Sequence, residues 1–469
     1  MVNSSNVSFG IDLKGIAFSI FSGEMLWLKS YYKSAIRAVA ERFFASEMDQ
    51  DKPVENKTEE QKEKFFTTPL IIIFVTIFID LIGFGMVIPI LPYYANTAPF
   101  NATPLEIGFL VAIYSLMQFF FSPLLGRLSD RYGRRPILFI SLLGSAVGYL
   151  VIGFANTLFL VFLGRIISGI TGGNISTAQA YIADVTSKKD RAKGMGLFGA
   201  AFGLGFIFGP ALAGVTSKYG VHVPFFFAAA LSLANAIALY FFLPESLKPN
   251  QRAVLPERKN RILELFESLK DKEFRELNIV YFLLVTAFSI MTYAFVLYTT
   301  FRFGYTPEEN GYLFAFVGFI AIVGQGFLFN KLVSKFGESP LIVAGCLMMV
   351  ASLFAVPLVG PQVGGLAGLL IGTAVLSFGN SLASPGVTSL ASKSASEHDQ
   401  GRAMGIMQSG ASLARVVGPV VGGLLLNNSL NAIDDFTLYR TFWAAAGIMF
   451  VAFLVAVYFA RTAKDYTVA

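Results

Sequence analysis

The sequence predicts an all-α membrane protein, with twelve transmembrane helices in two six-helix pseudo-symmetric bundles. Three observations carry that expectation: a composition unable to cover a water-facing surface, twelve apolar runs of spanning length, and a repeat relating the two halves of the chain. Of 469 residues, 55% are hydrophobic and only 14% charged, and the mean hydropathy is +0.63. A soluble chain carries roughly 25% charged residues, so a soluble multidomain enzyme is disfavoured from the outset. One cysteine, Cys346, leaves no intrachain disulfide and no cysteine-based metal cluster. Two histidines, His222 and His398, cannot build a histidine-rich centre, so no metal and no cofactor is expected. The balance of 36 basic against 30 acidic residues needs no nucleic acid to explain it.

A helix crosses a hydrocarbon core with about 20 mostly apolar residues. Runs of that length lie at 69–94, 105–126, 136–156, 158–183, 194–218, 223–243, 277–301, 308–333, 340–359, 363–389, 402–427 and 439–461. They are continuous rather than alternating ten-residue segments, which favours helices over a barrel. Glycine and proline inside several of them are tolerated where neighbouring helices satisfy the freed backbone groups.

Lysine and arginine gather after spans 2, 4 and 6, as Arg127, Arg131, Arg134 and Arg135, then Lys188, Lys189 and Arg191, then Lys248, Arg252, Arg258, Lys259 and Arg261. Lys335, Lys393 and Arg402 follow spans 8 and 10. The opposite connections are nearly bare: 95–104 and 357–362 hold no basic residue, and Lys218, Arg302 and Arg440 are the exceptions. Basic loops stay cytoplasmic. Both termini are therefore expected inside, in a multi-pass protein of the plasma (inner) membrane.

The stretch 108–138 echoes 311–342: Gly108 matches Gly311, Leu110 matches Leu313, and after one insertion Gly133 matches Gly337 and Pro136 matches Pro340. Farther on, Gly209-Pro210 with Gly214 matches Gly418-Pro419 with Gly423. Parallel six-span repeats with a site between the halves are a transporter arrangement. The organisation read from this is a cytoplasmic extension at 1–64, a first bundle at 65–243, a linker at 244–276, a second bundle at 277–461 and a tail at 462–469. Residues 1–64 lack the apolar core and cleavage site of a signal peptide. Within them, 25–44 reads as an amphipathic helix suited to an anionic membrane surface, with an incidental helix as the alternative. The charged stretch 49–63 reads as disordered.

Asp80 lies about 16 Å into the first span at 1.5 Å per residue, near the bilayer midplane. A carboxylate there is costly and usually handles ions or protons. Arg165 in span 4 reaches nearly the same depth, so an Asp80–Arg165 interaction is geometrically possible, with a purely structural pair as the alternative. Arg415 in span 11 is the other deep cation, and no carboxylate lies deep in spans 7 to 12. It is expected to meet Asp80, an anionic substrate group, or backbone carbonyls. Gln118, Asn174, Asn380 and Gln408, with Gln179, are further cavity candidates, although such residues often serve as helix–helix hydrogen bonds. After span 2 stands Gly126-Arg127-Leu-Ser-Asp130-Arg131-Tyr-Gly133-Arg134-Arg135-Pro136, in which the glycines permit a tight turn and Asp130 sits among four arginines. In span 5, Gly203, Gly205, Gly209, Pro210 and Gly214 permit close packing and a bend.

The Gly126–Pro136 segment resembles the signature after helix 2 of the major facilitator superfamily. Asp80-Leu-Ile-Gly83-Phe-Gly85 with Pro89 and Pro92 resembles the first helix of its twelve-span drug:H⁺ antiporters of tetracycline-efflux type. Gly164-Arg165 through Tyr181-Ile-Ala-Asp184 resembles their fourth helix, and Gly205 through Gly209-Pro210 their antiporter motif. The match covers about residues 69–461 and implies the major facilitator fold. It also implies a proton site at Asp80 with Arg165 as electrostatic partner, a cytoplasmic latch at Asp130 and its arginines, and leak-limiting packing by the span-5 glycines. The second copy of the loop, Asn330 to Gly337, lacks the aspartate, and 136–156 and 340–359 lack carboxylates, which speaks against tetracycline itself, carried as a metal chelate.

The expected function is proton-coupled export of small, moderately apolar molecules by alternating access, by a monomer whose partners are substrate, protons and the lipid bilayer. Uptake or organic-anion carriage, motivated by Arg415, is the alternative within transport. A non-transporting receptor or scaffold using residues 1–64 is the alternative of another class. No Ser/His/Asp arrangement or phosphate-binding Gly-rich loop with lysine supports an enzyme.

Overall fold

The structure, a computed structural model, describes residues 66–97, 99–187, 190–247, 272–394 and 400–462. The amphipathic stretch 25–44, most of the 244–276 linker, Lys188, Lys189 and the tail beyond 462 lie outside the described residues. Among the described residues, twelve helices are long and apolar enough to cross a membrane. They are α1 (Thr68–Asn96), α2 (Pro104–Tyr132), α3 (Arg134–Gly153), α4 (Leu158–Val185), α5 (Arg191–Ser217), α6 (Val223–Phe242), α7 (Lys272–Phe303), α8 (Pro307–Phe336), α9 (Glu338–Ala355), α10 (Gly365–Ser394), α11 (Gln400–Leu426) and α12 (Asp435–Thr462).

The two halves start corresponding helices in the same way. Thr103-Pro104-Leu105-Glu106 opens α2, and Thr306-Pro307-Glu308-Glu309 opens α8. In each, the threonine caps the helix while the glutamate three residues on accepts from the threonine N–H, at 2.8 Å in α2 and 2.9 Å in α8. Proline at the first position is at home because its missing N–H is an orphan there anyway. This shared capping box is a repeat signal that the glycine matches did not use.

The helices also end alike. Gly133 has φ +108° and Gly337 has φ +77°, a region costly for residues with a Cβ. The segment read from sequence as a loop with two turn glycines is corrected here: α2 continues through Gly126 to Tyr132, and Gly133 alone makes the turn. Gly126 sits inside the helix against Ser176 of α4, where nothing interrupts the hydrogen-bond ladder.

In the first half α3 packs on α4 and α6, and α2 on α4, while Gly205 and Gly209 bring α5 onto α1. In the second, α9 packs on α10 and α12, and α7 on α11 and α12. The halves meet along two seams, α2 with α11 and α5 with α8. A Cβ on Gly108 of α2 would fall 2.4 Å from the Pro419 carbonyl oxygen, with Gly423 Cα at 3.3 Å. On the other seam a Cβ on Gly311 would fall 2.5 Å from the Pro210 oxygen, with Gly214 Cα at 2.8 Å. The residues matched by the repeat therefore form two equivalent crossings. Lys218 bridges to Glu308 at 2.8 Å beside one seam, and the Tyr293 hydroxyl of α7 donates to the Pro104 carbonyl beside the other.

Both crossings lie at the end of the molecule with few basic residues. Toward the opposite, basic end, a Cβ on Gly196 or Gly199 of α5, Gly326 of α8 or Gly405 of α11 would meet nothing within 4 Å. The seams are tight at one end and part toward the other.

Candidate functional site

Helix α4 is broken at mid-span. It runs as α-helix to Thr171, tightens to a 3₁₀ turn at Gly172–Asn174 and resumes at Ile175. Side-chain volume explains the glycines: a Cβ on Gly172 would lie 2.3 Å from the Tyr114 hydroxyl, and one on Gly173 2.8 Å from the Ser122 backbone. Gln118 Nε2 donates to the Gly172 carbonyl at 2.8 Å, so the amide stabilises a backbone group that the break would leave exposed to a nonpolar interior. Gln118, a cavity candidate from sequence, is placed in a helix–helix tie.

The break sets Asn174 toward α1. Its Nδ2 donates to Asp80 Oδ2 at 3.1 Å. Asp80 borders a cavity of about 20 Å³ lined by Thr76, Asn174, Leu138 and Leu142, and closed on the α5 side by Phe198 and Phe202. That volume holds about one water and excludes an organic substrate. The cavity draws only on α1, α3, α4 and α5, so the carboxylate addresses the interior of the first half.

The expected contact between Asp80 and Arg165 is not made. Arg165, 4% exposed, donates through Nε to the Leu110 carbonyl at 3.2 Å and stacks its guanidinium 4.4 Å from the Tyr114 ring centroid. The glycine-permitted approach of α4 to α2 at Gly169 brings arginine and tyrosine together, and a cation over an aromatic face is stabilised without a carboxylate. Tyr114 joins α2 to both neighbours: it packs on Gly169 and Gly172 of α4, and its ring centroid lies 5.4 Å from that of Phe84 on α1. Sequence reasoning passed over it because a tyrosine among 18 in an aromatic-rich chain carries no signal until packing selects it.

Arg415 is half-buried on α11, donates to Ser412 Oγ at 3.1 Å and forms no ion pair among the described residues. Asn380 of α10 is half-buried and Gln408 of α11 exposed, apart from the Asp80 cavity lining. Of the span-5 motif, Gly205 packs on Leu81 and Gly209 on Gly85 within the first half, while Gly203, Pro210 and Gly214 face the seam with α8, Gly203 against Ile322.

The charged turn after α2 forms a knot at the basic end. Arg134 donates to Ser129 Oγ at 2.7 Å, to Asp130, and to Asp184 Oδ2 at 3.1 Å. Glu245 accepts the backbone N–H groups of Arg134 and Arg135 at 2.9 and 3.2 Å, which requires Gly133, since a Cβ there would lie 2.3 Å from Glu245 Oε2. Arg135 donates to the Tyr240 carbonyl, Arg127 to the Pro123 carbonyl at 3.4 Å, and exposed Arg131 lies 5.3 Å from the Tyr132 ring centroid. Glu245 and Asp184 complete this knot. Glu245 escaped notice as the first acid of a presumed linker, and Asp184 was noted only as part of a helix-4 motif.

In the second half Glu338 stands directly after Gly337 and pairs with Lys393 at the end of α10, with Ser389 Oγ donating to it at 3.1 Å. Arg134 stands directly after Gly133 and pairs with Asp184 at the end of α4. The same brace occurs in both halves with its charges reversed, which accounts for the aspartate missing from the second loop.

A family profile described as Major Facilitator Superfamily matches residues 73–398 and 363–468. The chain is 31% identical over 403 residues to the class H tetracycline resistance protein of Pasteurella multocida, covering 83% of this chain and 95% of that protein. It is 32% identical to multidrug resistance protein 2 of Bacillus subtilis (strain 168), covering 82% and 93%. Among solved structures, a bacterial homolog of the human lysosomal transporter Spinster, inward-facing and unoccupied, superposes with a TM-score of 0.67 at 15% identity, covering 87% of this chain and all of that one. Twelve spanning helices, two equivalent seams and these matches converge on one conclusion: this integral, multi-pass membrane protein belongs to the Major Facilitator Superfamily.

Proposed function

We propose that this protein is a proton-coupled transporter that exports small, moderately apolar molecules by alternating access, acting as a monomer in the plasma (inner) membrane. The observation that carries the reading is Asp80: a carboxylate at mid-span, held by Asn174 at a helix break, beside a cavity of water size. An ionised carboxylate at that depth is costly, so gain or loss of one proton changes the energy of the first half appreciably. Inward movement of a proton supplies about 2.3 kcal/mol per charge for each 100 mV, which drives uphill export.

The basic residues Arg127, Arg131, Arg135, Lys335 and Lys393 lie at the end where the seams part, and the positive-inside rule puts that end in the cytoplasm. On that reading both termini lie inside, and the open space beside Gly196, Gly199, Gly326 and Gly405 faces cytoplasmic substrate. Closing the basic end and parting the two glycine seams converts the protein to the outward-open state. The charged knot around Arg134 keeps α2, α3, α4 and the end of α6 together as one body during that motion. The relatives named for tetracycline and multidrug resistance support export of foreign or toxic small molecules.

The test is Asp80→Asn in proteoliposomes with an imposed pH gradient. The expected outcome is loss of gradient-driven transport of a multidrug-efflux dye with dye binding retained. Full gradient-driven transport by the variant would falsify the role of Asp80.

A further inference from the structure

We propose that Arg415 is an anion subsite, so that this protein's substrates include amphipathic molecules carrying one carboxylate beside an aromatic or aliphatic body. The inference deepens the transport reading and rests on its alternating-access motion, in which substrate passes between the two halves.

Four observations lead to it. First, Arg415 sits where the α2–α11 seam starts to part. It precedes Pro419 by four residues and Gly423 by eight, so it shares their helix face, and those two residues pack on Gly108. Ten residues toward the basic end, Gly405 has open space beside it. Second, among the described residues the guanidinium has donors to spare. Its side-chain partner is Ser412 Oγ, whereas Arg165 is buried, bonded to a carbonyl and stacked on Tyr114. A guanidinium offers five N–H donors in a planar fork that matches a carboxylate bidentately.

Third, among the described residues no carboxylate pairs with Arg415. The acids described in α7, α8, α9 and α12, among them Glu276, Glu308, Glu309, Glu338 and Asp435, lie in the first two turns of their helices, and Asp80 is held by Asn174. A cation away from bulk water without a counter-charge is costly, and a bound anion relieves that cost. Fourth, the repeat shows that the fold does not need a cation here. Pro419 corresponds to Pro210, so Arg415 corresponds to Phe206, which packs on Phe84 and Phe202. The second half thus carries a guanidinium where the first carries an aromatic ring.

The probe is 1-naphthylacetate against its neutral isostere 1-naphthylacetamide, measured by equilibrium binding to the purified full chain. The expected result is at least about tenfold tighter binding of the carboxylate, as hydrogen bonds to charged groups provide. Arg415→Gln should bring that ratio to about one, and Arg415→Lys, which keeps the charge without the fork, should retain part of it. Equal binding of the two probes by the unaltered protein overturns the subsite, and so does an unchanged ratio in Arg415→Gln. If Arg415→Gln does not fold, a ratio in Arg415→Lys equal to that of the unaltered protein overturns it as well. Gradient-driven efflux of a neutral dye, assayed in parallel, separates the two readings: its loss with the ratio intact counts against proton-coupled export alone, and its persistence with the ratio at one counts against the subsite alone.

Discussion

Gln118 and Gly172 hold the break in α4 from its two sides, the glycine by leaving room for the Tyr114 hydroxyl and the glutamine by occupying the glycine's carbonyl. Asn174 reaches Asp80 only because the turn between them keeps its 3₁₀ shape. Gln118→Leu leaves that carbonyl unsatisfied in a nonpolar interior, at a cost of about 1–3 kcal/mol. The expected outcome is a lower melting temperature in detergent together with reduced gradient-driven transport. Unchanged values of both would show that Gln118 does not support the break. Asp80 and Arg165 were conspicuous in the sequence because charge in an apolar run is conspicuous. Their separation was not, because depth along an axis leaves rotation about that axis undetermined, and Tyr114 intercepts the guanidinium first.

At the scale of elements, the two halves solve one problem with opposite charges. Arg134 with Asp184 joins the start of α3 to the end of α4, and Glu338 with Lys393 joins the start of α9 to the end of α10. The second pair allows a clean test, since Arg134 also engages Asp130 and Ser129. Glu338→Lys alone should lower thermal stability, by about 1 kcal/mol because Lys393 is half-exposed. Combining it with Lys393→Glu should restore much of the loss. No recovery in the double variant would mean that the pair is not a brace. Sequence comparison reported a missing aspartate here, because it compares identities at aligned positions and not partners across helices. The start and end of α2 and α8 were more legible: positive φ selects glycine, and a helix start selects Thr-Pro-x-Glu, whatever packs around them.

For the whole molecule, the energy difference between its two access states rests on the two seams. Each joins glycines so closely that a single methyl group cannot be added without movement. Gly311→Ala should therefore disfavour the closed bare end by about 1 kcal/mol or more, a shift of about fivefold in population. Gly405→Cys, in the open part of α11, reports that shift, since the native Cys346 is buried and leaves little background. Slower maleimide labelling of that cysteine from the basic side in the Gly311→Ala background is expected, and an unaltered rate would remove the seam from control of access. Lys218 and Glu308 add an exposed tie to the same seam. The hydrogen bond and charge of Glu308 hold the Lys218 ammonium above its ordinary value of 10.5, so the lysine's share of the tie is fully present below that pH and is lost as pH rises through the higher value.

The sequence by itself determined that this chain spans a membrane twelve times, that its halves are repeats, and that one acid and two arginines lie deep in its helices. Those follow from transfer energies and backbone conformations, which each residue type expresses locally. Which of the deep charges meet, which face of α11 Arg415 occupies, and at which end the halves touch were decided by tertiary structure alone. Such contacts depend on helix rotation and on the sub-ångström fit of glycine against backbone, and a one-dimensional pattern holds neither quantity.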